Sequence, residues 1–170
     1  AVEQVMAYAS LNDIDWTLWQ PVQRATLLYV ICEGRVLLIR KKRGLGAGKI
    51  NGPGGRVEGN ESVVECAVRE TEEEVGIRAR GVRERGQMRF QFVDGFSMQV
   101  EIVTADDYEG TPCETDEAVP LWYFINEIPY GQMWATDRYW LPNIVAGKCL
   151  MGRALFNGDQ PLDWDIQTVE

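Results

Sequence analysis

From residue 24 onward the chain sets short β-rich runs against two stretches of helical period. Residues 24–32 read as a strand, Glu33-Gly34 as a turn and residues 35–40 as the returning strand, so a hairpin is expected first. The period then changes to 3.6, with Val64, Ala67, Val68, Thr71 and Val75 on one strip of a helix that can dock on a core. Its ends are legible, because Ser62-Val63-Val64-Glu65 has the capping-box pattern and Gly76 suits the left-handed residue that stops a helix. Further strand-like runs fall near residues 78–92, 96–104 and 119–125. A second helix is expected over residues 137–145, then strands near 149–156 and 164–169. Mixed strands with two well-separated helices predict an α/β fold, a mixed β-sheet sandwiched between helices.

The polar side of the first helix carries chemistry. Glu70, Glu73 and Glu74 stand at i, i+3 and i+4, so their carboxylates converge on one strip. Like charges so close need a cation between them, and hard oxygen ligands select Mg²⁺ or Mn²⁺. The absence of histidine agrees. A solvated helix would instead interleave signs at i,i+4, and only Glu65 with Arg69 fits that scheme. The preceding Gly52-Pro53-Gly54-Gly55 would let backbone N–H groups approach an anion closely.

Composition narrows the class. With 170 residues, 45% hydrophobic and 25% charged, the chain suits one well-buried domain. A net charge of -9 from 26 acidic and 17 basic residues argues against a nucleic-acid polymer as partner, while a single nucleotide carried with metal remains compatible. Cys32, Cys66, Cys113 and Cys149 form no C-x-x-C pair and read as free thiols in a reducing compartment, hence a cytoplasmic protein. Residues 1–20 lack the pattern of a signal peptide, and no run reaches membrane-spanning length. Residues 44–50 (GLGAGKI) imitate a Walker loop, but the first glycine is one residue too close and Ile50 stands where a hydroxyl is needed. Arg40-Lys41-Lys42-Arg43 sits at a strand end, where a solvated turn and a phosphate contact through Lys41 are the competing readings.

The spacing Gly55, Glu61, Arg69-Glu70, Glu73-Glu74, Val75-Gly76-Ile77 resembles the signature of the Nudix hydrolases, G-x5-E-x7-R-E-U-x-E-E-x-G-U, with Thr71 at the first bulky apolar position. Beyond this box, KKRGLGAGKINGPGGRV at residues 41–57, GQMRFQF at 86–92, GTPCETDE at 110–117 and MWATDRYWLP at 133–142 resemble the MutT-like members that act on oxidised purine nucleoside triphosphates. The resemblance covers residues 22–170 and leaves residues 1–21 as an extension, with Trp16 and Trp19 expected over the pocket or at a dimer contact. It implies an α/β/α fold and Mg²⁺-dependent hydrolysis of a purine nucleoside triphosphate to monophosphate and pyrophosphate, sanitising the nucleotide pool.

Carried over by position, the resemblance implies metal ligation by Glu70, Glu73, Glu74 and Glu117, with the carbonyl of Gly54 or Gly55. Glu74 or Glu117 would be the general base, and Arg69 would orient the acids with Glu61 as partner. The base pocket falls on Thr26, Asn51, Phe90, Trp134 and Asp137, with Lys41 at its edge; Asp137 would donate if a raised pKa kept it protonated. The pattern departs at Thr136, where the family has a second aspartate, and at Leu45 and Pro53, where it has aromatic residues. Other substrates of the same chemistry, a nucleotide sugar, dinucleotide or ordinary dNTP, form the rival reading, and a non-catalytic nucleotide sensor a third. Monomer and homodimer are both compatible.

Overall fold

The turn at Glu33-Gly34 folds β1 (Gln23–Cys32) back onto β2 (Arg35–Lys41). In this computed structural model, which describes residues 8–169, the hairpin is closed only at its turn end. Val30, Ile31 and Cys32 pair with Leu37, Val36 and Arg35. Toward its start β1 leaves β2 and pairs instead with β4 (Gly54–Arg56), while β2 takes β3 (Ile50–Asn51). The intervening Gly52-Pro53 turn wedges the two strands apart, and the Leu28 N–H donates to the Pro53 carbonyl at 2.8 Å.

The chain continues through α1 (Val63–Val75), β5 (Arg78–Arg80), β6 (Arg83–Phe92), β7 (Ser97–Ala105), β8 (Asp107–Glu109) and β9 (Ala118–Phe124). It closes with α2 (Asp137–Val145), β10 (Cys149–Asn157) and β11 (Gln160–Val169). The main sheet runs β11-β10-β6-β7-β1-β2-β3, with β4 beside β1 and β9 beside β2. Its β1/β7 and β6/β10 pairs are parallel and the others antiparallel, which is the mixed sheet expected. The single run expected over residues 78–92 is broken at Gly81-Val82, and β5 leaves to form a separate ribbon with β8.

Strand alternation sends side chains to two cores. On one face, Leu28, Val30, Leu37, Ile39 and Val103 pack under Ala67 and Val75 of α1. On the other, Tyr29, Leu38, Met88, Ile102 and Phe156 pack under Trp140, Leu141 and Ile144 of α2. Along α1 the docking strip is shifted by one position at its start, Val63 joining the core where Val64 was expected. Residues 8–22 lie on the α1 side of the sheet, over the β6-β10 half that α1 leaves bare, with Ile14 packed on Val93 and Leu155. The extension thus lies across the sheet from the cavity-lining aromatic side chains rather than over the pocket mouth; residues 1–7 of it lie outside the described residues. Among the described residues, no helix is long and apolar enough to cross a membrane.

Gly76 ends α1 at φ 76°, its N–H donating to the Glu72 carbonyl, and a Cβ there would meet the Cys113 Sγ at 2.7 Å. Gly76→Ala should therefore cost about 1–2 kcal/mol of stability, read by urea unfolding. An unchanged midpoint would show that the helix end relaxes freely.

Candidate active site

The site is assembled by α1 and three loops. At the start of α1 the Glu65 N–H donates to the Ser62 Oγ at 3.1 Å and the Ser62 N–H to the Glu65 carboxylate at 3.2 Å, fixing where the helix begins. The helix lies against β4 so closely that a Cβ at Gly55 would run into the Glu70 carboxyl, and one at Gly54 into the Thr26 carbonyl. Only bare backbone fits there. The Gly54 N–H accordingly reaches the Glu74 carboxylate at 3.1 Å. From the far side, the Thr115 hydroxyl donates to the Glu74 carbonyl at 2.7 Å and accepts the Glu117 N–H at 3.2 Å, which docks the Glu117 loop on the end of α1.

These contacts bring carboxylate oxygens of Glu70, Glu74 and Glu117 within 4.8 Å of one another. Burial pushes the Glu74 carboxyl up to about 8, and the charges of Glu70 and Glu117 add to that against the Gly54 N–H. Burial also raises Glu70, with Arg69 pulling it back. An all-oxygen cluster in which burial pushes Glu70 and Glu74 toward their neutral forms fits a hard divalent cation, which would restore their charge. Glu73, expected in this cluster, is half-exposed and stands outside it, its carboxylate 3.3 Å from the Arg69 guanidinium. The i+3 position points away from the sheet, whereas i and i+4 face β4.

Arg69 is the cluster's organiser. Its Nε and Nη2 fork onto Glu61 at 2.6 and 2.9 Å, its Nη1 reaches Glu70 at 2.8 Å, and its Nη2 also donates to the Arg56 carbonyl at 3.1 Å. The fork pulls the Glu61 carboxyl down to about 2. Behind it the buried Cys66 thiol lies 3.4 Å from the Thr26 hydroxyl and 3.3 Å from the Arg56 carbonyl, joining α1 to β1 and β4.

The acids line one end of a cavity of about 920 Å³. Thr26, Lys41, Asn51, Gly54, Gly55, Phe90, Trp134 and Asp137 all line it, so most of the expected pocket residues share one space with the acids. Lys41 is held over it by its ammonium, which donates to the Leu45 carbonyl at 2.9 Å. Its neighbour Arg43 reaches Glu117 at 3.1 Å, and Lys42 pairs with Glu114, so the basic run is partly spent on local acids. Thr136 is the exception. It caps α2 in helical geometry, is fully buried, and does not line the cavity; its hydroxyl has no protein partner. Sequence reasoning missed Phe92, Phe96, Phe156 and Trp140, which build the cavity's apolar wall. Trp140 alone had a signal, standing one helical turn beyond Asp137.

Asp137 lies at the apolar end of the cavity, 3% exposed. Burial pushes its carboxyl up to about 8, and the Trp140 indole and Lys49 charge offset this only in part. Its Oδ2 has no protein partner. A neutral carboxyl can donate a hydrogen bond as well as accept one.

Comparison with known proteins agrees with this geometry. A family profile described as NUDIX domain matches residues 21–144. The chain is 44% identical to the oxidized purine nucleoside triphosphate hydrolase of Danio rerio over 147 residues, 85% of this chain and 94% of that one. It is 37% identical to the protein of the same name from Mus musculus, with the same coverage. Among solved structures, a MutT protein from Bacillus halodurans superimposes with a TM-score of 0.78 at 25% identity, covering 86% of this chain and 98% of that one.

The raised Asp137 carboxyl has a thermodynamic signature. An acid whose folded pKa lies above its ordinary 3.8 favours folding in full below that value, and the contribution drains away as pH rises toward about 8. Asp137→Asn removes this dependence. The variant should gain stability relative to the parent between pH 4 and 8, by up to ~1.4 kcal/mol per pH unit. Parallel stability profiles for the two proteins would exclude a buried neutral carboxyl.

Proposed function

Since the chain belongs to the Nudix family of hydrolases, we propose that it converts a purine nucleoside triphosphate, oxidised or otherwise modified, to the monophosphate and pyrophosphate, and so clears such nucleotides from the pool. One observation carries the reading: an acidic cluster and an aromatic, hydrogen-bonding end share a single cavity whose volume suits a nucleotide. Phe90 and Trp134 offer faces and edges to a flat base, while Asn51 and Asp137 offer donors and acceptors to its edge. The name carried by the Danio rerio and Mus musculus relatives supports an oxidised purine as substrate. All four cysteines are free thiols, which supports a cytoplasmic setting.

Glu70, Glu74 and Glu117 would hold Mg²⁺, with the Gly54 and Gly55 backbone beside them. Bound there, the metal would neutralise diphosphate charge and lower the pKa of coordinated water. Arg69 fixes the Glu70 rotamer while its fork holds Glu61 as a charged anchor. Glu74 already spends one oxygen on the Gly54 N–H. Glu117 likewise has one oxygen on Arg43, so Glu74 and Glu117, which both line the cavity, are the two candidates to take a proton from attacking water. Glu73 acts one step back, holding Arg69 from the solvent side.

Pyrophosphate release with Mg²⁺, across a panel of oxidised, methylated and ordinary nucleotides, tests the reading. Glu74→Gln and Glu117→Gln should each lower kcat by about 100-fold or more, and Glu73→Gln by less than tenfold. Full activity in Glu74→Gln would overturn the metal assignment. Tight nucleotide binding without any turnover would make the protein a sensor. Thr136→Val tests the pocket boundary: it removes a buried hydroxyl that has no partner, so relative rates among purines should not move and stability should hold or rise. A changed preference would show that Thr136 reads the base after all.

A further inference from the structure

Residues 8–20 precede the segment that matches the family, yet they are wired to the cavity wall. The contact is one buried amide. Gln91 on β6 is 5% exposed and points to the α1 side of the sheet, opposite its neighbours Phe90 and Phe92. Its Nε2 donates to the Phe92 carbonyl at 2.9 Å and to the Phe96 carbonyl at 3.2 Å. Its Oε1 accepts the Trp19 indole N–H at 2.8 Å. Carbonyls only accept and an indole only donates, so a single orientation of the amide serves all three partners. The Phe92 N–H closes the turn onto the Phe96 carbonyl at 2.9 Å. Phe92, Asp94 and Phe96 of this same turn line the cavity.

The segment is anchored on both sides of Trp19. The Val22 N–H donates to the buried Ser97 hydroxyl at 2.9 Å, and the Leu11 N–H to the Asp163 carboxylate at 2.9 Å. Trp19 also lies under the Arg89 guanidinium at 5.5 Å and beside Trp16 at 5.3 Å. An indole pinned this way has few alternative places for its N–H.

We propose that Trp19 is a positioning residue for the nucleotide cavity, acting through Gln91 to fix the turn that carries Phe92 and Phe96. The proposal rests on the reading that the cavity takes a purine nucleotide. Without the indole N–H, the Gln91 amide keeps only the two carbonyls, and the turn they belong to is free to shift against the base. Because a hydrogen bond to a buried amide is at stake, the loss should appear in substrate binding as about a two- to tenfold rise in KM, with kcat within twofold.

Trp19→Phe keeps the ring and removes the donor, and Gln91→Met removes the amide. Each should raise KM for the preferred purine triphosphate, and the double variant should be no worse than Gln91→Met alone. Additive KM effects, or a lowered Tm with KM unchanged, would overturn the proposal and leave Trp19 a structural residue. Amide hydrogen exchange on the free protein gives a readout independent of turnover. Exchange at the Phe92 and Gly95 amides should quicken in Trp19→Phe while α1 amides keep their protection. Equal acceleration everywhere, or none at the turn, would sink the idea even if KM moved. If the parent protein hydrolyses no nucleotide, the functional reading fails by itself and the exchange pattern still decides the role of Trp19.

Discussion

A carboxylate packed against bare backbone keeps its charge only where something positive answers it, and α1 presses Glu70 and Glu74 onto Gly54-Gly55 in that way. Arg69 answers Glu61, Glu70 and Glu73 together. No side chain hydrogen-bonds the Glu74 carboxylate among the described contacts, only the Gly54 N–H does, and burial leaves the group raised toward neutrality. The site therefore carries an unbalanced demand for positive charge at one end of a cavity. That imbalance sets the cluster apart from a solvated acidic patch, whose carboxylates water would keep charged.

The opposite end of the cavity solves a different problem with the same means. Asp137 is also buried and also raised, but it lies among Trp140, Tyr29 and the Trp134 turn instead of among other acids. Without competing carboxylates, its raised pKa suits it to donate a hydrogen bond better than to bind a metal. One physical effect, desolvation, thus raises both acids, and what stands beside each differs: other carboxylates around Glu74, aromatic rings around Asp137.

Much of this was legible in the chain because it was written in local rules. The capping box at Ser62, the stop at Gly76 and the period of α1 all depend on neighbours within a few residues, and they fell close to where expected. What escaped depends on contacts between distant segments. Glu73 and Glu74 are adjacent in sequence and alike in type, yet only the helix's rotation against β4 decides which one meets Glu70 and Glu117. Thr136 and Asp137 part in the same way, because the turn before α2 buries one side chain in the protein and gives the other to the cavity. The break at Gly81 was missed for want of any signal in the apolar pattern that β5 and β6 would join different sheets. The path of residues 8–22 rests on Leu155, Val93 and Gln91, which lie far off in the chain.

The splaying of β1 from β2 has a consequence for how this protein tolerates change. The cavity exists where β1 exchanges one partner for another, and its walls follow from Thr26 facing Gly55 and Leu27 facing Gly54. Strand side chains alternate with a period of two, so a slip of one residue here would invert which of them look inward. Length between Asn51 and Gly54 is thereby held rigid, as are the glycines at 52 and 54, where a Cβ would run into Tyr29 and the Thr26 carbonyl. Leu45 and Pro53 can differ from aromatic residues without disturbing the frame, whereas one inserted residue in that short turn would move the glycine pair off Thr26 and Glu70 together. Substrate preference in such a scaffold drifts by substitution, and the hydrolytic centre is lost by insertion.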